Sequence, residues 1–294
     1  MIIDNGQLTM NDDFKTYRLR KGYSLKTIKS QDCYLRKFTG WMKEKGISLQ
    51  SLNYQSIFSF VSDERKKGSS PANLKNQLQA IRIYLDCQKE TGTIESNPAE
   101  HVKIRDTLKK ATLPALEEET LLNAYKTFAN RECKTTRGKA EHQRDTVALG
   151  LMVFQGLDSG DLERLTVKDV NLTEGTIYIA SSRRNTSRIL KLESLQILSI
   201  HQYITNQALT EKLFAKSKIN DMVSAIVHKL KAVYPEIQNP RHIRSSVIMN
   251  WLKKYHIRKV QYMAGHKRVS STEKYKKEDL HDLSQQLSKY HPIK

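Results

Sequence analysis

Between residues 237 and 280 the chain gathers side chains that could act together on a phosphodiester. Asn239-Pro240 ends a loop, and Arg241-His242-Ile243-Arg244 opens a helix whose Val247, Ile248, Trp251 and Leu252 read as inward-facing. Two arginines and a histidine within four residues of a helix start make an electropositive pocket, reinforced by the unpaired N–H groups there. Ala264-Gly265-His266 follows, where glycine would close one helix and expose the histidine beside it. Nine residues later comes Tyr275, in the polar segment SSTEKYKKEDL. A tyrosine amid Ser, Thr, Glu and Lys is not core-like, and its neighbouring lysines would help hold a phosphate near the hydroxyl. Breaking a phosphodiester without water or metal needs a nucleophile, cations on the non-bridging oxygens and an acid for the leaving 5′-oxygen. Tyr275, Arg244 and His266 could supply these. Singly, each would pass for a surface residue of a basic helical protein; their order and company favour the chemical reading.

The elements that must position these groups are mostly helical. Residues 24–45 place Leu25, Ile28, Leu35, Phe38 and Met42 at helical spacing, with Ser24 as N-cap and Gly46 as stop. A second helix is expected over 53–67, with Ile57, Phe58 and Val61 inward. A third runs from Pro71 to Glu90, with Ile81, Ile83, Tyr84 and Leu85 toward the core and Asn73, Lys75, Asn76 and Gln77 on its first turns. Residues 91–115, with turn residues and two prolines, read as a linker. Beyond it, LEEETLLNAYKTF and RDTVALGLMVFQG (144–156) read as helices, the second apolar nearly all round and so buried. GTIYIAS (175–181) and RILKL (188–192) alternate like strands joined by the polar SRRNT, which predicts a hairpin, and helices resume from 193.

The 294 residues carry 50 Lys plus Arg against 31 Asp plus Glu, a formal charge of +19. Residues 1–105 hold 18 basic and 11 acidic side chains and the remainder 32 and 20, so the excess is spread over both halves. Such a surface suits a long polyanion, because each phosphate contact releases condensed counterions. Cys33, Cys87 and Cys133 lie far apart and read as buried thiols in a reducing compartment. His201, His228, His256, His281 and His291 are scattered without acidic partners at ligand spacing, so no metal is expected. There is no nucleotide-binding glycine loop, no signal-like N-terminus and no apolar run of bilayer length, so a cytoplasmic protein with no membrane partner is expected. Tyr255, Tyr262 and Tyr290 are alternative tyrosines, of which Tyr262 reads as core.

The succession NPRHIR, AGH and a tyrosine nine residues on resembles the C-terminal signature of the tyrosine recombinases, the phage-integrase and Xer group, which typically reads H-x-x-R, then G-H, then Y. SSPANLKNQLQAIRIYL followed by SNPA resembles that family's N-terminal core-binding domain and its exit into the linker. FQGLDSGDLERLTVKDVNLTEGTIYIA resembles its first catalytic box and the hairpin after it. The resemblance implies a mainly α, two-domain C-shaped clamp around double-stranded DNA. An N-terminal SAM-like helical bundle (1–105) would precede a mostly helical catalytic domain with a small β-sheet (106–294). It also implies a homotetramer on paired sites, with a monomer or weak dimer in free solution, and a reaction needing no cofactor, neither metal nor ATP. Carried over, Tyr275 would form a 3′-phosphotyrosyl bond, Arg244 would clamp the scissile phosphate, and His266 would hydrogen-bond it.

The chain departs from the pattern at three places. The first box usually reads G-L-R-x-S-E-L, and here is Gly156-Leu157-Asp158-Ser159-Gly160-Asp161-Leu162, so its phosphate-clamping arginine is Asp158, which could be a helix N-cap. The H-x-x-R histidine falls on Arg241, with His242 one place along, and arginine is a poor proton shuttle. The hairpin lysine that protonates the leaving oxygen has no lysine counterpart; an ungapped reading puts Arg183 there, with Arg184 next. Either Arg183, Arg184 or Arg241 fills the space left by the missing arginine, or the site is retired and the chain only binds DNA as a regulator or accessory protein. The third N-terminal helix, through Asn73, Lys75 and Gln77, would lie in a major groove. Lys26, Lys29, Arg184, His242 and Lys267 are further DNA-contact candidates. Leu280, Leu283 and Leu287 could dock the segment after Tyr275 on a neighbouring subunit.

Overall fold

The computed structural model of the chain describes residues 12–105, 113–133, 135–214 and 218–276. The chain divides into two compact units, Met1–Lys110 and Ala111–Lys294.

The first unit is a bundle of α1 (Asp12–Arg20), α2 (Leu25–Glu44), α3 (Tyr54–Lys66) and α4 (Pro71–Glu90). Ser24, Asn53 and Ser70 cap the last three through side-chain oxygens that accept backbone N–H groups. Helix α1 had no sequence counterpart: among charged residues only Phe14 and Tyr17 reach the core, beside a buried Arg18 paired with Asp32 at 2.6 Å. The α3 core face is Ile57, Phe60, Val61 and Glu64, and Phe58 points to solvent, as does Leu25 at the start of α2. The first part of the expected linker belongs to this bundle. Ala99 and Val102 are buried, the Arg82 guanidinium donates to their carbonyls, and Asn97 donates to Asp86 at 2.7 Å. Of the three thiols only Cys87 is buried; Cys33 is exposed and Cys133 half-buried.

The second unit runs α5 (Glu118–Ala129), α6 (Thr136–Phe154), α7 (Ser159–Arg164), β1 (Val170–Asn171), β2 (Thr176–Ile179), β3 (Arg188–Lys191), α8 (Ser194–Asn206), α9 (Ile219–Lys231), α10 (Pro240–Lys254) and α11 (Ile257–Ala264). Residues 269–276 are also helical. Helix α6 begins well before residue 144, because its first half, TRGKAEHQRD, is too polar to show apolar periodicity. Its second half is buried without a break from Asp145 to Val153 and forms the axis of the core. The sheet is antiparallel in the order β1-β2-β3, with Ile177 opposite Leu190 and Ile179 opposite Arg188. Ile177, Ile179, Leu190 and Arg188 face the core, while Tyr178 and Ile189 face outward. Tyr262 is half exposed rather than core. It lies along the free edge of β3, where its hydroxyl accepts the Ile189 N–H at 3.0 Å. Leu280, Leu283 and Leu287 lie outside the described residues.

Candidate active site

Helix α10 begins where Asn239 caps it, accepting the His242 N–H at 2.9 Å, with Pro240 in the first turn. That start fixes which way each side chain of the motif points. Arg241 is exposed, Ile243 is core, and the Arg244 guanidinium reaches the Gly156 and Ala264 carbonyls, the second at 2.9 Å. His242 touches the wall of the cleft over Tyr275 and His266, but both its ring nitrogens are engaged inside the domain. It is buried, its Nε2 lies 2.8 Å from the Pro114 carbonyl, and its Nδ1 accepts the Gln238 N–H. Together with Ser246 and Asn250, which bond the Leu116 backbone, it fastens the segment entering the domain to α10.

Beneath the site lies a buried ionic floor built by the first-box residues. Gly156 has φ +59°, and a Cβ there would meet Trp251 and Val247 at 3.2 Å, so only glycine brings this turn so close to α10. Asp158 caps α7, accepting the Asp161 N–H at 2.9 Å. The cap turns Asp161 inward, where its fully buried carboxylate meets Arg188 at 2.8 Å, Arg164 at 2.7 Å and Arg244 at 3.7 Å. Burial works to raise the Asp161 carboxyl, but the guanidiniums of Arg188, Arg244 and Arg164 outweigh it and hold it below its ordinary value. Burial lowers the Arg188 guanidinium, opposed by Asp161.

His266 and Tyr275 sit above this floor. Gly265 ends α11 in the left-handed region, at φ +72°, and turns the chain so that His266 faces the helical segment 269–276. His266 Nδ1 lies 2.9 Å from the hydroxyl of the fully buried Thr272, and its ring stacks parallel to Tyr275 with centroids 5.9 Å apart. The Tyr275 ring also rests on Ile248, Val260 and Ala264. Burial, then Arg244, then Arg188 push the His266 imidazole down to about 4, so it is neutral at physiological pH.

A cleft of about 750 Å³ opens over Tyr275 and His266 and is rimmed by cations from three places. The β2–β3 loop gives Arg183 and Arg184, α10 gives Arg241, and the 266–275 segment gives Lys267, Arg268 and Lys274. The loop is tied to the histidine segment, since Thr186 N–H donates to the Gly265 carbonyl at 2.8 Å and Lys267 Nζ donates to the Arg183 carbonyl at 3.1 Å. Thus Tyr275, His266, Arg241, Arg183, Arg184 and Lys267 share one cleft, with Arg244 just beneath it. In the other unit Lys26, Lys29 and Lys75 are exposed and Asn73 half-buried. Gln77 is a correction: it is buried, donating to Glu64 at 3.3 Å, because it falls on the core face of α4 beside Leu74, Leu78 and Ile81.

Sequence reasoning missed Arg188 and Thr272. Arg188 had a legible signal: in RILKL it shares the inward register with Leu190 and Leu192, and an inward arginine requires a buried carboxylate. Thr272 had none. Among the described residues no three His, Cys, Asp or Glu side chains gather as metal ligands, and no helix is long and apolar enough to cross a membrane.

Residues 112–281 match the model of the phage integrase family, and residues 12–91 match that of the phage integrase N-terminal SAM-like domain. The chain is 24% identical to the tyrosine recombinase XerA of Pyrococcus horikoshii, over 95% of this chain and 92% of that protein. It is also 24% identical to the tyrosine recombinase XerC of Vibrio cholerae, over 92% and 88%. Its fold matches the XerH site-specific recombinase in a post-cleavage complex with a palindromic difH substrate, with a TM-score of 0.71 at 18% identity over 93% of this chain and 82% of that one. It also matches lambda integrase bound to a COC′ core site, with a TM-score of 0.66 at 14% identity over 90% and 75%.

Proposed function

The chain belongs to the phage integrase family, the tyrosine recombinases, and from that premise we propose that it cuts and rejoins double-stranded DNA at specific sites through Tyr275. The observation that carries the reading is the grouping of Tyr275 on His266, above the guanidinium of Arg244 and inside a cleft rimmed with cations.

In the step this supports, the Tyr275 oxygen attacks the scissile phosphorus, forming a 3′-phosphotyrosyl bond as the bond to the 5′-oxygen breaks. The phenolic proton passes to water in the open cleft, and the leaving oxygen takes up a proton. Arg244 binds a non-bridging oxygen, with Asp161 holding its guanidinium in place. His266, neutral with its Nδ1 beside Thr272, acts as a hydrogen-bond donor to the phosphate through Nε2 rather than as a proton carrier. Arg183 stands at the position of the family's hairpin lysine but cannot give up a proton near neutral pH. An ammonium is a proton donor where a guanidinium is not, and that of Lys267 rests on the Arg183 carbonyl, so we assign the leaving-group proton to Lys267 and phosphate contacts to Arg183, Arg184 and Arg241. The ester conserves the energy of the cut bond, so rejoining needs no added energy source. Cutting two sites in turn calls for a homotetramer on paired DNA segments.

The rival reading, a retired enzyme that only binds DNA, is not favoured. Asp158 removes one cation, yet the floor around Asp161, the His266–Thr272 contact and the Tyr275 stacking are complete without it. The test uses nicked duplexes tiling the DNA on either side of the coding gene, because loss of the short 5′-hydroxyl fragment traps the covalent intermediate. A protein–DNA adduct that survives SDS and disappears in Tyr275→Phe is expected. Tight binding with no adduct on any duplex would overturn the reading. A 5′-thio leaving group, which needs no proton, should restore cleavage to Lys267→Met.

A further inference from the structure

Arg188 carries more charge and more unspent hydrogen bonding than its known partner explains. It is 2% exposed, and only its Nη2 has a partner, the Asp161 carboxylate at 2.8 Å. Its Nε and Nη1 are buried with no acceptor. Unpaired buried donors on a cation are among the most expensive groups a core can hold, and an apolar residue in the same strand register would avoid them. The neighbourhood is also short of negative charge. Asp161 Oδ2 faces both Arg188 and Arg244 while Arg164 takes its other oxygen, so even with the Asp158 carboxylate acting on Arg188 three guanidiniums face two carboxylates and an excess positive charge remains under the cleft.

The backbone above confirms how close that charge lies to the reacting groups. A Cβ on Gly265 would stand 2.5 Å from Arg188 Nη1, so the Gly265-His266 turn lies directly on the guanidinium and no larger residue fits there. Arg188 is accordingly among the groups that keep His266 neutral. Arg183, Arg184 and Arg241, the cations expected to make good the missing first-box arginine, are exposed and screened by water. A buried charge at comparable range acts through a lower dielectric and stabilises a developing anion more strongly.

We propose that Arg188, entering from β3 beneath the cleft, is a positioning residue that supplies the second cationic charge of the phosphate site, the charge absent where Asp158 replaces the first-box arginine. This rests on the strand-transfer reading above. Arg188 holds Asp161 through Nη2, and so fixes Arg244, while its excess charge acts through the Gly265-His266 turn on the phosphate above.

The experiment compares nicked duplexes whose scissile phosphate is either native or a neutral methylphosphonate. Arg188→Gln is expected to lower adduct formation on the native phosphate by about 10²–10³-fold, with a loss on the methylphosphonate about tenfold smaller or less. Arg188→Lys, which keeps the charge, should retain the wild-type ratio between the two substrates. Equal losses on both substrates for Arg188→Gln, in protein that still binds duplex DNA, would mean a scaffold role and overturn the proposal. Asp158→Arg tests it from the first-box side, measured against Asp158→Ala, which loses the same helix cap: a gain of no more than about threefold over that variant is expected. A gain approaching the 10²-fold worth of a transition-state donor would show the charge was missing and overturn it. If wild-type protein forms no adduct on either substrate, the strand-transfer reading itself fails, and this proposal with it.

Discussion

The floor and the rim of the cleft hold charge of the same sign in opposite surroundings. In the floor, Arg188 and Arg244 are almost out of water, fixed by one carboxylate and by backbone carbonyls. On the rim, Arg183, Arg184, Arg241 and Lys267 are exposed. The difference teaches a division of labour. A buried cation is costly to place but acts at full strength on charge developing beside it, whereas an exposed one is screened by water and salt. Apart from the leaving-group proton assigned to Lys267, the floor should therefore set the rate of the chemistry, and the rim guanidiniums the affinity for the polyanion and its salt dependence.

The largest effect expected is in the floor. Arg244→Ala removes the less buried of the two floor guanidiniums and leaves Asp161 with one buried partner fewer. Adduct formation should fall by about 10³-fold, while duplex binding in a gel-shift titration changes by only a few fold. If binding fell as much as cleavage, floor and rim would not be functionally separate. Thr272→Val comes next. It leaves His266 Nδ1 without its partner in a buried setting, a loss of about 1–3 kcal/mol or roughly tenfold and more in rate, measured as single-turnover cleavage.

How far this division could be read in the sequence differs between the two layers. The rim was legible, because Arg183, Arg184, Arg241 and Lys267 sit in loops or at a helix start where a basic residue has no packing role. Tyr275, His266 and Arg244 were legible for a related reason: their types do not fit the apolar periodicity around them, and their order matches a family. The floor was legible only in part. Arg188 is one basic residue among 50, and its inward direction follows from a strand register that three residues barely define. Gln77 and His242 failed in the opposite direction. Both are polar residues in the first two turns of a helix, where exposure is the ordinary expectation, and both are buried because a tertiary partner, Glu64 or the Pro114 carbonyl, awaits them. Helix α1 and the first half of α6 escaped because their apolar faces are too short to show a period.

Acid should act on the site first through His266, which rests on the floor. His266 has a folded-state pKa of about 4, below its ordinary 6.5, because burial and the two arginines oppose its charge. The unfolded chain therefore takes up a proton that the folded one refuses, and stability present above the ordinary value is lost as pH falls toward 4. Asp161, also held below its ordinary value, extends the loss to lower pH. Melting temperature should fall between pH 6.5 and 4, and less steeply in His266→Asn. An unchanged slope in that variant would place the acid-sensitive group elsewhere.

The smallest effect expected is on the rim. Arg184→Ala removes one exposed cation from the mouth of the cleft and touches nothing in the floor. If it contacts one phosphate, the slope of log binding constant against log salt should become less negative by about 0.9. Cleavage at saturating DNA should stay within about threefold of wild type, since a screened charge adds little to the transition state. A change in saturating rate as large as that of Thr272→Val would mean that the Arg184 guanidinium enters the floor when DNA is bound. The separation between the two layers would then belong only to the free protein.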